Sequence, residues 1–381
     1  SAFPSKTGTF RRYFSDPALD ARFDAARRTA DPAARERAYR DVEDALLASG
    51  AVVPLFYELE YRVATRQVAR LSLESVPPFV NYAEVVKTAP PAAEPRRRAG
   101  GGVLQIPFPV GNDLSTLDPV LVRRDHDAEL VAAVFETLTR NTTGARVVPW
   151  LAASVESEDG GRRYRFRLRE DVLFHNGRTL TARDVRYSLE RLLGREASSF
   201  RLQLTPIRGA TALVEGRAAE LEGFRIDSRH EFVVDLDQPV AFFPTLLSHP
   251  ATAVVPEGSE EFSASWRDGT AGTGPFQVAA FEPGRRLELE ANAAYWRPGY
   301  PKCDGLVVRF GLEPAGAFRE TSYPIEAVEW IATHRHRLGG RPVHDYQYGG
   351  FLLLWLPEGK IFIDGRMPAW RIASPRSRRG W

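Results

Sequence analysis

Tyr164-Arg165-Phe166-Arg167-Leu168 and, a short way on, Thr181-Ala182-Arg183-Asp184-Val185-Arg186-Tyr187-Ser188-Leu189-Glu190-Arg191-Leu192 decide the fold class of this chain. The first stretch alternates apolar and basic residues, the period of a strand with one face buried. In the second, Thr181 and Asp184 make a capping-box pattern, and Val185, Leu189 and Leu192 recur at helical spacing, which predicts a helix over 182–193. A strand and a helix in succession call for a layered α/β lobe. The same alternation returns at Phe232, Val234 and Leu236, and further strands are expected at Val103 to Pro107, at Leu287 and Leu289, and at Leu306 to Phe310.

The N-terminal stretch carries two helix starts. Asp16 with Pro17 and Asp31 with Pro32 each pair an N-cap residue with proline at the first helical position. Leu19, Phe23 and Ala26 share one face of the first helix; Tyr39, Val42 and Leu46 share one face of the second, which Ser49-Gly50 stops. Residues 51 to 65 read as a buried strand broken at Pro54 and then an alternating one. So small a set of elements makes a marginal core alone, so residues 10 to 86 are expected to pack against residues 102 to 310. Residues 87–101, rich in Pro, Ala, Arg and Gly and without apolar periodicity, are a linker between the two.

Composition bounds the function classes. The 381 residues, 43% hydrophobic and 26% charged, suit two or three globular domains, and no apolar run approaches the ~20 residues of a bilayer-spanning helix. Fifty-one basic residues face 49 acidic ones. The clusters at Arg96-Arg97-Arg98 and at Arg371, Arg376, Arg378 and Arg379 are short and lack interleaved aromatics, so no nucleic-acid partner is expected. The single cysteine, Cys303, excludes an internal disulfide and is expected to be a buried thiol. The sequence starts at Ser1, its one methionine is Met367, and residues 1 to 15 hold no apolar leader core. The expectation is either a secretory signal already removed or a chain that is a piece of something longer.

Several short motifs, taken together, carry a family resemblance. They include Ser115-Thr116-Leu117-Asp118-Pro119, Val134-Phe135-Glu136-Thr137-Leu138, Val148-Pro149-Trp150-Leu151-Ala152, Phe174-His175-Asn176-Gly177, Gly272-Thr273-Gly274-Pro275-Phe276 and Asn292-Ala293-Ala294-Tyr295-Trp296. In that order they resemble the amino-terminal half of the extracytoplasmic solute-binding proteins, family 5, of peptide, dipeptide and nickel importers of the ABC class. Arg12-Tyr13-Phe14-Ser15-Asp16-Pro17, Ala33 to Tyr39 and Val53-Pro54-Leu55-Phe56-Tyr57 resemble that family's carboxy-terminal end, so the segments stand in permuted order. The resemblance implies an incomplete larger lobe of the periplasmic-binding-protein type II kind, its second lobe missing. It divides the chain into 1–86, the linker 87–101, a segment 102–313 and an unrelated α/β appendage 314–381. Within the last, residues 323–370 resemble the soluble C-terminal part of bacterial polytopic glycosyltransferase-like membrane proteins, and Phe351 to Leu356 is expected to pair with Ile361 to Ile363 across Pro357-Glu358-Gly359.

The resemblance also implies a site. Asn112, Asp113 and Leu114 in one turn and Thr273, Gly274 and Phe276 in one loop match positions near the family's cleft, where glycine would let backbone approach a solute. The implied ligand is a small peptide or other small solute, the implied partner an ABC permease, the implied location periplasmic or extracytoplasmic. His334 and His336 lack a third ligand for zinc, His175 is expected to be structural, and Asp118 and Asp364 suit turn-type hydrogen bonds. No catalytic constellation, metal or cofactor is expected, and the chain is read as a binding protein rather than an enzyme. The alternative is a structural or accessory domain of a larger protein that captures no solute.

Overall fold

The computed structural model describes residues 15–29, 31–50, 64, 67–71, 73–74, 78–88, 101–109, 114, 116–142, 146–259, 272–312, 343–344 and 362–363. The chain divides into two compact units, one taking residues up to 61 (without 27–30) and from 315 onward, the other residues 27–30 and 62–314.

In the first unit, helix α1 (Pro17–Arg28) starts where the Asp16 carboxylate accepts from the amides of Ala18 and Leu19 at 2.9 and 3.0 Å. Helix α2 (Pro32–Ala48) starts where Asp31 accepts from the Ala34 amide at 2.7 Å. Both are the expected caps, each supplying an acceptor to first-turn amides. The two apolar stripes meet each other: Leu19, Phe23, Val42 and Leu46 form one cluster with Tyr39 and Ala45 against it. Each helix thus supplies the other's apolar partner, which residues 102 to 310 were expected to provide.

The second unit is built on two four-stranded sheets. Strands β1 (Val68–Ala69) and β2 (Val86–Lys87) pair with each other, and β3 (Val103–Pro109) opens the chain beyond the linker. Helix α3 (Asp125–Val134) leads to the hairpin β4 (Thr139–Thr142) and β5 (Arg146–Pro149). Strands β6 (Ala152–Glu158), β7 (Arg163–Leu168), β8 (Phe224–Ile226) and β9 (Glu231–Asp235) form an antiparallel sheet in the order β6-β7-β9-β8. Helix α4 (Ala182–Gly194) and the short α5 (Ala210–Val214) and α6 (Phe243–Leu246) belong with it. Its core is aromatic: Phe232 stacks on Phe166 at 4.9 Å and on Phe224 at 4.7 Å between ring centroids. As expected, Asp184 accepts from the Thr181 amide at 2.9 Å and hydroxyl at 2.7 Å, and Val185, Leu189 and Leu192 are buried.

The second sheet has the order β10-β11-β12-β3, from β10 (Phe276–Glu282), β11 (Arg286–Ala291) and β12 (Gly305–Leu312), with β3 parallel to β12 and the other pairs antiparallel. Its core takes residues from both sides of the linker. Val80, Tyr82 and Val85 are buried beside Leu104, Leu130, Phe276 and Leu306, each such side chain contributing about 1.5–3 kcal/mol of burial. The Tyr82 hydroxyl donates to Glu129 at 3.0 Å, Lys302 N–H donates to the Ala83 carbonyl at 3.0 Å, and Lys87 Nζ donates to the Val103 carbonyl at 2.8 Å. The described residues between 67 and 88 thus act as a strap on the lobe that begins at β3, and the compact unit starts at residue 62 rather than at the linker.

Of the appendage, the described residues are β13 (Val343–His344) and β14 (Phe362–Ile363), which pair in parallel. The expected partner strand 351–356 lies outside the described residues, as do His334, His336 and Asp364. Among the described residues no helix is long and apolar enough to cross a membrane.

Candidate functional site

The Gly272-Thr273-Gly274 loop packs against the last turn of α3. A Cβ on Gly272 would lie 1.9 Å from the Val134 carbonyl oxygen, and one on Gly274 would lie 2.5 Å from the same carbonyl. These glycines serve close backbone approach, but what approaches is the helix end. Gly274 N–H donates to Val134 O at 2.9 Å, and the Gly274 carbonyl accepts from Asn292 Nδ2 at 3.0 Å and faces His175 Nε2 at 2.9 Å. His175 N–H donates to the Gly272 carbonyl at 2.8 Å, the structural role expected of that residue.

Of the residues expected near a solute, Leu114, Thr273 and Phe276 are each at most 1% exposed. Leu114 and Phe276 sit in the core of the second sheet, and the Leu114 carbonyl accepts from Gly284 N–H at 3.0 Å. Asn112 and Asp113 lie outside the described residues. The fold brings the loop, through Pro275, to the edge of a cavity of about 60 Å³ whose wall also includes Glu136, Arg140, Trp150 and Tyr295.

Glu136 organises that wall. The chain leaves α3 in extended form at Phe135, and Val254 N–H donates to the Glu136 carbonyl at 2.9 Å, which turns the side chain's segment inward. One carboxylate oxygen accepts from Trp150 Nε1 and from the Tyr295 hydroxyl, both at 2.7 Å; the other accepts from Trp296 Nε1 at 3.0 Å. Burial raises its pKa, and the hydrogen bonds from Tyr295, Trp296 and Trp150 work against that rise. Burial, and then the neighbouring Glu136, push the Tyr295 phenol above its ordinary range.

Guanidinium groups cover the indoles. Arg140 and Arg297 lie over Trp150 at 4.6 and 4.8 Å, Arg169 lies over Trp296 at 4.5 Å, and Arg297 also lies over Tyr300 at 4.0 Å. Two of these arginines reach the strap: Arg140 is 3.6 Å from Glu74, and Arg297 is 3.5 Å from Glu84. Contacts of this sort add about 0.5–2 kcal/mol each and hold the planar groups in one orientation. None of Glu136, Arg140, Trp150 or Tyr295 is marked as a site by spacing. The available signal was a glutamate in the otherwise apolar Val134-Phe135-Glu136 run, together with an indole and a phenol far along the chain able to satisfy it.

Other expected roles are fulfilled away from this cavity. Asp118 caps the turn Pro119–Leu121 by accepting from Val120 N–H at 3.2 Å, and it also holds Arg191 at 2.8 and 2.5 Å with both oxygens. Cys303 is 2% exposed, and burial pushes its thiol pKa up to about 11. Among the described residues no group of three or more His, Cys, Asp or Glu is placed to hold a metal ion.

Residues 146–320 match the family model described as bacterial extracellular solute-binding proteins, family 5 Middle. This stretch, a little under half of the chain, is similar to the family 5 solute-binding proteins. The chain is similar to the periplasmic oligopeptide-binding protein OppA of Escherichia coli, 28% identical over 193 residues that make up 49% of this chain and 35% of that protein. It is similar to a dipeptide-binding protein of Lactococcus lactis, 28% identical over 50% of this chain and 36% of the relative. Among solved structures it resembles clavulanic acid biosynthesis oligopeptide binding protein 2, with 26% identity and a TM-score of 0.50 over 56% of this chain and 41% of that one. The matched region therefore has the periplasmic-binding-protein type II fold, and the chain spans little more than a third of the length of these curated relatives.

Proposed function

We propose that this chain is a family 5 solute-binding component acting outside the cytoplasm, taking a peptide-like solute for an ABC-type importer by non-covalent capture. The observation that carries the reading is the pairing of the family match over residues 146–320 with relatives named for oligopeptide and dipeptide binding. In this reading Asn112 and Asp113 offer polar side chains to the solute, while Leu114, Thr273, Gly274 and Phe276 shape the lobe wall beneath it. The described residues between 67 and 88 then stand where the family's carboxy-terminal end would close the lobe, which fits the burial of Val80, Tyr82 and Val85 beside Leu104. Good small-molecule sites enclose about 70–90% of the ligand surface; one lobe offers a single wall, so the affinity of this chain for short peptides is expected to be roughly millimolar.

A test uses linkage. A ligand held at ~1 mM and supplied at ~10 mM stabilises the folded state by about 1.4 kcal/mol, a rise of roughly 3–6 °C in melting temperature for a unit of this size. Mixed di- to pentapeptides should give that rise, and equimolar free amino acids should give less. One observation favours the accessory-domain alternative: Gly274 N–H and carbonyl are both engaged inside the lobe. No melting shift with any peptide would select it.

A further inference from the structure

We propose that the cavity between the strap and α3 is a binding site for a small carboxylate of acetate or glycine size, held by Arg140 and Asn81. The site belongs to the lobe itself and does not depend on peptide capture. Its volume of about 60 Å³ has room for roughly four water-sized groups, which is the size of such a molecule. Asn81 and Arg140 both line it. Asn81 Nδ2 is shut off from solvent and has no hydrogen-bond partner among the described residues, and the side chain makes no cap bond to the turn Tyr82–Glu84 that follows it. A buried amide donor left in that state costs about 1–3 kcal/mol, which a bound acceptor would relieve.

The second donor is preoriented. Stacking on Trp150 at 4.6 Å fixes the Arg140 plane, and its described carboxylate neighbour, Glu74, stands at 3.6 Å, beyond hydrogen-bond length. A guanidinium fork in that condition matches the two oxygens of a carboxylate. Pro78, Ala133 and Pro275 line the same cavity and suit a methyl or methylene group. Glu136 also lines it, but its oxygens are occupied by Trp150, Tyr295 and Trp296. Burial raises its pKa, which favours the neutral form, and a neutral carboxyl does not oppose an anion.

The test titrates the full chain with acetate, glycine and the neutral isostere acetamide, and follows the Asn81 side-chain amide in 1H–15N spectra. That signal is assigned by its disappearance in Asn81→Leu. Acetate and glycine should displace it saturably, and acetamide should be weaker by roughly tenfold, the value of one charge-assisted hydrogen bond. Arg140→Met, which keeps an unbranched stem against Trp150, should weaken acetate by about the same factor; Arg169→Met, whose guanidinium lies over Trp296 instead, should not. Unfolding midpoints of both variants establish that they fold. Equal response to acetate and acetamide, no saturable displacement by acetate, or equal binding by folded Arg140→Met would each overturn the assignment.

Discussion

Replacing Gly272 by alanine should be among the most damaging single-methyl additions in the second unit, because of where the methyl lands. Its Cβ would lie 1.9 Å from the Val134 carbonyl oxygen and 2.8 Å from the carbonyl carbon. Neither atom is the free end of a side chain: the oxygen belongs to the last residue of α3 and accepts from Gly274 N–H at 2.9 Å. Reaching even a tight contact requires the loop to withdraw by more than about 1 Å. Withdrawal breaks or stretches three hydrogen bonds, from Gly274 N–H to Val134, from His175 N–H to Gly272, and from Asn292 Nδ2 to Gly274. At about 0.5–1.5 kcal/mol for each bond, with buried groups left unpaired, the expected loss is about 3–5 kcal/mol. Gly194→Ala is the control. Its Cβ meets only Leu213 Cδ2, at 3.8 Å, and alanine is favoured over glycine in a helix by up to about 1 kcal/mol. Urea unfolding followed by tryptophan fluorescence measures both. A Gly272→Ala protein within about 1 kcal/mol of the parent would refute the close-approach account of this loop.

Acid should weaken the chain through His249, whose pKa burial lowers from 6.5 to about 4, while its Nδ1 accepts from Ala251 N–H at 3.1 Å. Because the unfolded state binds the proton first, this contribution is complete above pH 6.5 and declines as pH falls toward 4. Roughly 2 kcal/mol should be lost by about pH 5; His249→Asn should flatten that slope, and identical slopes would contradict it. The Cys303 thiol, pushed up to about 11, should react with a disulfide reagent at neutral pH far more slowly in the native protein than after denaturation. Equal rates would place it at the surface. Arg191→Met should cost about 3–5 kcal/mol by leaving buried Asp118 without its partner, read from the same unfolding curves.

Where local chemistry suffices, the sequence speaks plainly. The caps at Asp16, Asp31 and Asp184 and the alternation at Tyr164, Phe166 and Leu168 depend on neighbours a few residues away, and each is found in place. Helix α3 escapes that reading for a physical reason. Ala128, Leu130, Val131, Ala133 and Val134 are buried together with Asp127 and Glu129, so no polar face remains to give the apolar residues a period. The Glu136 cage is illegible for another reason: its donors come from Trp150, Tyr295 and Trp296, and only the fold gathers them. The two glycines of the loop were legible as a place of close approach, but not what approaches, since Val134 lies more than a hundred residues earlier in the chain.

The central claim is capture of a peptide-like solute by this lobe, and calorimetric titration of the purified chain with defined di- to pentapeptides tests it most directly. The account predicts saturable heats with dissociation constants of roughly a millimolar or weaker and a preference for peptides over their constituent amino acids. Absence of binding at high millimolar peptide would contradict solute capture by this chain, and micromolar affinity would contradict a site with a single wall.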